Sequence, residues 1–300
     1  METDKEFRAG YVALVGRPNV GKSTLLNTLV GEKISIVTSK PHTTRNRILG
    51  VLTRDDGQAV FIDTPGYSPR SDRVLHRLMA RSLNQTRADA DLVVLVTEAH
   101  RSLQVDESLM RDIAASSCPA ILVINKIDRL KSRDALLPRL EELRKYPFVD
   151  YVPISALKSD NTEALAKTII RSLPRGPALF PSDFKTDLGD AFRAAEVIRE
   201  KLMTELHQEI PYGIAVQIES LRDGDEGRLD LNAVIWIERS SQKAIVIGKE
   251  GSVLKRVGRA ARLELNELLG RRIHLELWVK LREHWSDNIE ELKRLGFDAS

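Results

Sequence analysis

The feature that most constrains this chain is the octapeptide GRPNVGKS, Gly16 to Ser23, set between the strand-like run YVALV and the helix-like run STLLNTLV. It fits the pattern G-x-x-x-x-G-K-[ST] in the context that the pattern requires, a strand before it and a helix after it. Glycines there let backbone N–H groups close around phosphate oxygens at a helix N-terminus, where the helix dipole also favours negative charge. The residues expected to hold the nucleotide phosphates are Gly16, Asn19, Val20, Gly21, Lys22, Ser23 and Thr24, with Lys22 reaching the outer phosphates and the Ser23 hydroxyl binding magnesium.

The chain around this loop reads as α/β. From Tyr11 to about Leu173, short apolar runs (YVALVG, AVFID, LVVLV, AILVIN, YVPIS) alternate with amphipathic stretches, among them Leu75 to Leu83, Leu109 to Ala115, Leu136 to Leu143 and Leu165 to Leu173. That order implies a doubly wound, mostly parallel sheet with helices on both faces. The chain's 300 residues are long for one domain and about right for two. Pro174, Pro177 and Pro181 disfavour helix and mark an extended spacer. The division expected is therefore 1–172, a linker at 173–188, and 189–300. The second part groups a helix, two strands joined by RDGDEG, two helical stretches around GKEG, a third strand and a last helix, which suggests a small α+β domain with antiparallel strands. Trp236 and Trp278 are expected to pack in its core.

Composition narrows the function classes. No apolar run approaches the ~20 residues needed to cross a bilayer, and the charged N-terminus resembles no signal peptide, so a cytoplasmic location is expected. The single cysteine, Cys118, has no partner for a disulfide or a thiolate metal site. Net charge is only +3, yet Lys243, Lys249, Lys255, Arg256, Arg259 and Arg262 gather against Glu250 alone, which makes a candidate anion-binding patch.

Three further strand ends carry candidate chemistry. AVFID ends at Asp63 in DTPG, where a carboxylate beside the phosphate loop can hold the metal and Gly66 can offer its N–H to a terminal phosphate. AILVI leads into NKID. There Asp128 can accept both donors of guanine's Watson–Crick edge, Asn125 can brace the loop, and the stem of Lys126 can cover the ring. After YVPI come Ser155, Ala156 and Leu157, with the Ala156 N–H placed to meet the guanine oxygen. In the second part, IGKEG opens a helix. Its Ile247, Gly248, Lys249 and Gly251, with Lys255, Arg256 and Arg259 on the helix, match the way K homology modules clamp a single-stranded nucleic-acid backbone.

Together these loops resemble the translation-factor-like GTPases, and over nearly the whole chain the Era family. The resemblance rests on GRPNVGKS, the TTR in PHTTRNR, DTPG, NKID, SAL, EIPYG and ERSSQKAIVIGKEG. It implies a P-loop GTPase domain followed by a type II K homology domain that binds GTP or GDP with Mg2+ and hydrolyses GTP. Lys22, Thr44, Gly66 and Asn19 are implied as catalytic residues, and Ser23, Asp63 and Thr44 as metal ligands, with Thr43 the competing choice. Tyr67 stands where Ras-like enzymes carry a water-orienting glutamine, so intrinsic hydrolysis should be slow. Asn19 matches an asparagine that in related GTPases helps hold K+ against the phosphates. The implied partners are the 3′ end of small-subunit ribosomal RNA and the small-subunit precursor, met by a monomer. Two other readings stay open: an RNA-binding assembly chaperone with incidental turnover, and a signalling GTPase peripheral on the inner face of the cell membrane.

Overall fold

The computed structural model describes residues 6–40, 43–66, 86, 89–101, 106–206 and 210–295. The helix expected through Leu75 to Leu83, Tyr67 of the hydrolysis argument and Glu209 of EIPYG lie outside them. The described residues form two compact units: 6–35, 44–66, 86, 89–101 and 106–187 in the first; 36–40, 43, 188–206 and 210–295 in the second.

The first unit is the expected doubly wound domain. Strands β1 (Arg8–Val15), β2 (Ile48–Arg54), β3 (Gly57–Asp63), β4 (Leu92–Glu98), β5 (Ala120–Asn125) and β6 (Asp150–Pro153) form one sheet in the order β2-β3-β1-β4-β5-β6. All neighbours are parallel except β2, which runs antiparallel to β3 at the edge. Strands β3, β4 and β5 are buried at every position, as parallel strands covered on both faces must be. Helices α1 (Lys22–Val30), α2 (Glu107–Ala114), α3 (Leu136–Leu143) and α4 (Thr162–Ser172) are described here. Because consecutive parallel strands point the same way, the loops after β1, β3, β4, β5 and β6 emerge along one sheet edge.

The proline-rich segment is tied to this unit. Fully buried inside β3, the Gln58 side chain accepts from the N–H groups of Leu179 (2.7 Å) and Phe180 (2.9 Å) and donates to the Phe180 carbonyl (2.9 Å). Val51 N–H donates to the Lys185 carbonyl at 2.8 Å.

The second unit packs helices α5 (Asp190–Glu205), α6 (Ser240–Ile247) and α7 (Ser252–Leu269) with strands β7 (Ile214–Asp223), β8 (Leu229–Ile237) and β9 (Ile273–Leu281), before a short α8 (Ile289–Arg294). The sheet order is β7-β8-β9, with β7 and β8 antiparallel but β8 and β9 parallel, which corrects the wholly antiparallel expectation. Leu231, Ala233, Ile235 and Ile237 face the core with Ala194, Val197, Ile198, Val257, Ala261 and Leu265. Side chains alternate along a strand, so Trp236 falls on the opposite face, and so does Trp278 across the sheet. Neither tryptophan is in the core. Trp278 is 56% exposed, while Trp236 lies under the Arg282 guanidinium at 4.4 Å from its ring centre and donates to Gln217 at 2.9 Å. The buried tryptophan is Trp285.

Residues 36–40 and 43 belong to this second unit through α5. Glu200 accepts from the Val37 N–H (2.9 Å), Arg199 donates to the Thr43 carbonyl (2.5 Å), and the Lys40 ammonium meets the carbonyls of Met203 and Leu206 at the helix C-terminus. Both Arg199 and Glu200 are buried. Among the described residues, no helix is long and apolar enough to cross a membrane.

Candidate nucleotide site and candidate nucleic-acid groove

The loop after β1 turns into α1 through backbone that only small or tolerant residues adopt. Gly21 caps α1 at φ 101°, and Asn19 takes φ 65°. A Cβ at Gly21 would stand 2.3 Å from Asn125 Nδ2, so that glycine is required by the approach of the NKID loop. Lys22 is buried, its ammonium donating to the carbonyls of Gly16 (3.0 Å) and Arg17 (3.1 Å). Burial pulls its pKa down to about 8, with the Asp63 carboxylate opposing the shift.

Ser23, Asp63 and Thr44 come together. Ser23 Oγ donates to Asp63 Oδ2 at 2.6 Å and lies 2.9 Å from Thr44 Oγ1, which itself lies 3.5 Å from Asp63 Oδ2. The Thr43 hydroxyl, for its part, donates to the Lys40 carbonyl and lies 2.6 Å from that of Thr38. Asp63 is fully buried, and burial pushes its carboxyl up against the opposing pull of Lys22 and the hydroxyls of Ser23, Ser35 and Thr44. Among the described residues its Oδ1 has no hydrogen-bond partner. Two hydroxyls and a carboxylate with an orphaned buried oxygen suit a hard divalent cation with oxygen ligands, so the residues present fit Mg2+. At the start of the next loop Gly66 lies against the phosphate loop, where a Cβ would meet Pro18 Cα and N at 2.7 Å.

The base-side loops are joined by one amide. Asn125 Nδ2 donates to the Val20 carbonyl (2.8 Å), and its Oδ1 accepts from the N–H groups of Lys126 (2.7 Å) and Ala156 (3.0 Å). Asp128 is exposed and receives a hydrogen bond from Ser155 Oγ at 2.5 Å, leaving carboxylate capacity for a base. The Ala156 N–H is already engaged by Asn125, so contact with a guanine oxygen would have to share it. Leu157 is 72% exposed beside it, and Thr24 is half-buried in the first turn of α1. Ser35, which donates to Asp63 Oδ2 at 3.2 Å, belongs to no pattern and was not legible.

In the second unit, Ile247 ends α6, Gly248 takes φ 76° and ψ 167°, and a tight turn over Lys249–Gly251 opens α7. A groove of about 360 Å³ runs between α7 and β9, floored by Leu254, Gly258, Leu275 and Leu277 and rimmed by Lys255, Arg259 and Arg262. Helical spacing of four and three puts those cations on one face. Arg256 stands apart from them, paired with Glu205 at 2.8 Å, and Arg262 takes its place at the rim.

Comparison with known proteins agrees with this geometry. Residues 11–126 match the model of a 50S ribosome-binding GTPase family and residues 209–286 that of the KH domain. GTPase Era of Coxiella burnetii (strain CbuG_Q212) is 45% identical over 295 residues, covering 98% of this chain and 99% of its own. The chain belongs to the Era family of GTPases. Era of Actinobacillus pleuropneumoniae serotype 3 (strain JL03) is 42% identical over 96% of this chain and 95% of its own. Two solved Era structures, one from Aquifex aeolicus bound to GDP·AlF4− and one in complex with MgGDPNP and nucleotides 1506–1542 of 16S ribosomal RNA, each superpose with a TM-score of 0.92 at 42% identity. They cover 96% and 97% of this chain and 99% of their own. The Era fold, a P-loop GTPase domain with a C-terminal KH domain, is therefore the fold of this chain, and GTP hydrolysis is its activity.

Proposed function

We propose that the first unit binds GTP and GDP with Mg2+ at its sheet edge, and that the second binds single-stranded RNA, the 3′ end of small-subunit ribosomal RNA, in the α7–β9 groove. On this reading the chain acts in the cytoplasm as a nucleotide-timed assistant of small-subunit assembly. The functional division is 1–172 for the GTPase module, 173–188 for the connecting segment and 189–300 for the RNA-binding module. The observation that carries the nucleotide half is Asn125, whose one amide fixes the phosphate loop, the NKID loop and the Ala156 loop to one another. Support for the RNA half comes from the cationic rim over an apolar floor and from the Era relative solved with a 16S fragment.

Ser23, Thr44 and Asp63 would hold Mg2+, which supplies neutralisation of the charge that builds on the phosphates. Lys22 already points into the loop that would cradle them, and phosphate oxygens would replace the carbonyls of Gly16 and Arg17 as its partners. Gly66 offers its N–H to the terminal phosphate. Asn19 is assigned the K+-assisting role, so K+ should accelerate turnover over Na+ and Asn19→Ala should remove most of that difference. Equal rates in the two salts would move the aid elsewhere.

Thr44 is the chain neighbour of Thr43, whose carbonyl Arg199 holds in the second unit. A nucleotide-dependent change at Thr44 therefore has a covalent route into that unit. RNA should bind the GTP-analogue form more tightly than the GDP form, by about 5- to 150-fold if the coupling is of ordinary size. Titrating one 3′-end oligonucleotide against both forms at equal salt tests this, and indistinguishable dissociation constants would leave two independent modules.

A further inference from the structure

Glu98 is a buried carboxylate with no part in the site described above. It ends β4, in register with Asn125 of β5, and its side chain is 3% exposed. Its Oε1 meets the ammonium of Lys126, its Oε2 meets Arg101 Nε at 2.6 Å, and its carbonyl accepts from Arg139 at 2.9 Å. The same Lys126 ammonium donates to the Asn19 carbonyl of the phosphate loop. Lys126 itself has left-handed backbone, φ 65° and ψ 36°, which β-carbon sterics disfavour.

A buried charge is stabilised only when its partners replace water, and an apolar residue here would carry no such cost. The pairing therefore calls for a reason beyond stability. A lysine stem has four rotatable bonds and is a poor fixed surface unless its end is anchored. Glu98 anchors it, and one cation then touches both the base-recognition side and the phosphate side of the nucleotide site.

We propose that Glu98 is a positioning residue for guanine nucleotide: it fixes the Lys126 ammonium, and through it the Asn19 carbonyl, before the nucleotide arrives. Preorganising a side chain removes part of the ordering that binding would otherwise require. The proposal rests on the reading of Asn125 to Asp128 as the base-recognition loop.

A double-mutant cycle tests it, using wild type, Glu98→Gln, Lys126→Ala and the double variant in the full chain, with release of fluorescent GDP as the measurement. Each single substitution should raise the dissociation rate about tenfold, and Glu98→Gln should add little once Lys126 is Ala, since coupled neighbours are not additive. In Glu98→Gln the KM for GTP should rise more than kcat falls. Should Glu98→Gln fail to fold, Glu98→Asp keeps the charge beside Arg101 while drawing it back from the ammonium, and should speed release in the Lys126 background only. Full additivity of the two losses, or no change in release for either Glu98 variant, overturns the proposal. Lys126→Ala with unaltered GDP release would overturn the base-loop reading as well, which separates that failure from the other.

Discussion

On the proposed reading the nucleotide site and the α7–β9 groove both meet anions, yet they are built in opposite ways. At the sheet edge the chemistry lies in buried groups bound to one another: Lys22 on loop carbonyls, Asp63 under three hydroxyls, Asn125 across three loops. In the groove it lies in Lys255, Arg259 and Arg262, exposed cations on one helix face. The first design selects one ligand, because each buried partner left unmatched costs about 1–3 kcal/mol. The second would attract a class of polyanion with little discrimination and strong dependence on salt.

What the two regions share is positive-φ glycine at the start of a helix, Gly21 in one and Gly248 and Gly251 in the other, and the largest expected effect tests that likeness. Gly248, at φ 76° and ψ 167°, sits in a region essentially closed to other residues, and a Cβ there would lie 2.6 Å from Val253 Cγ2 and 2.8 Å from its nitrogen. Gly251 is left-handed at φ 74°, and a Cβ added there would meet only Lys255 Cε among the described residues, at 3.9 Å. Gly248→Asp should therefore destabilise the second unit by about 2–5 kcal/mol, while Gly251→Asp should cost only about 1–2 kcal/mol and weaken RNA binding through charge. Chemical denaturation of both variants decides the matter; equal losses would mean that the turn tolerates side chains at Gly248.

Next in size is base choice. Asp128→Asn should lose guanine nucleotide by about 1.5–3 kcal/mol and gain xanthine nucleotide, whose oxygen replaces the exocyclic amine and accepts from an amide. Competition of GDP, XDP and ADP against a fluorescent nucleotide measures it. This loss should change little with salt, in contrast to any loss in the groove, and a steep salt dependence would collapse the distinction between the two designs.

Most of the first region was legible in the sequence because its constraints are local. A phosphate loop needs its glycines within eight residues, and strand-end motifs fall at one edge wherever strands run parallel. The second region was less legible because its constraints are set by packing. Which helical face carries cations to the groove depends on what the other faces meet, and Glu205 of α5 draws Arg256 away. Trp236 and Trp278, expected in the core from their positions within strands, lie on the face opposite the period-2 run Leu231, Ala233, Ile235, Ile237 that makes the core. Gln58, which ties Leu179 and Phe180 to β3, and the buried pair Arg199 and Glu200, which hold Val37 and Thr43, answer to partners over 100 residues away. No short pattern could announce them.

The smallest effect discriminates most finely within the groove itself. Arg259 lines it, whereas Arg256, one turn back in the sequence of the helix, is already occupied by Glu205 at 2.8 Å. Arg259→Ala should weaken RNA binding by about 1 kcal/mol and shallow the log–log salt slope by roughly one unit or less. Arg256→Ala removes an exposed ion pair of the kind that contributes about 0–1 kcal/mol to stability, and it should leave the salt slope of RNA binding where it was. Affinities of the two variants, measured with one oligonucleotide across several salt concentrations, separate a cation that meets phosphate from one that meets carboxylate. Equal slopes in both variants would show that the RNA reaches beyond the groove to the α5 side of α7, and that the cationic cluster acts as a field with no face of its own.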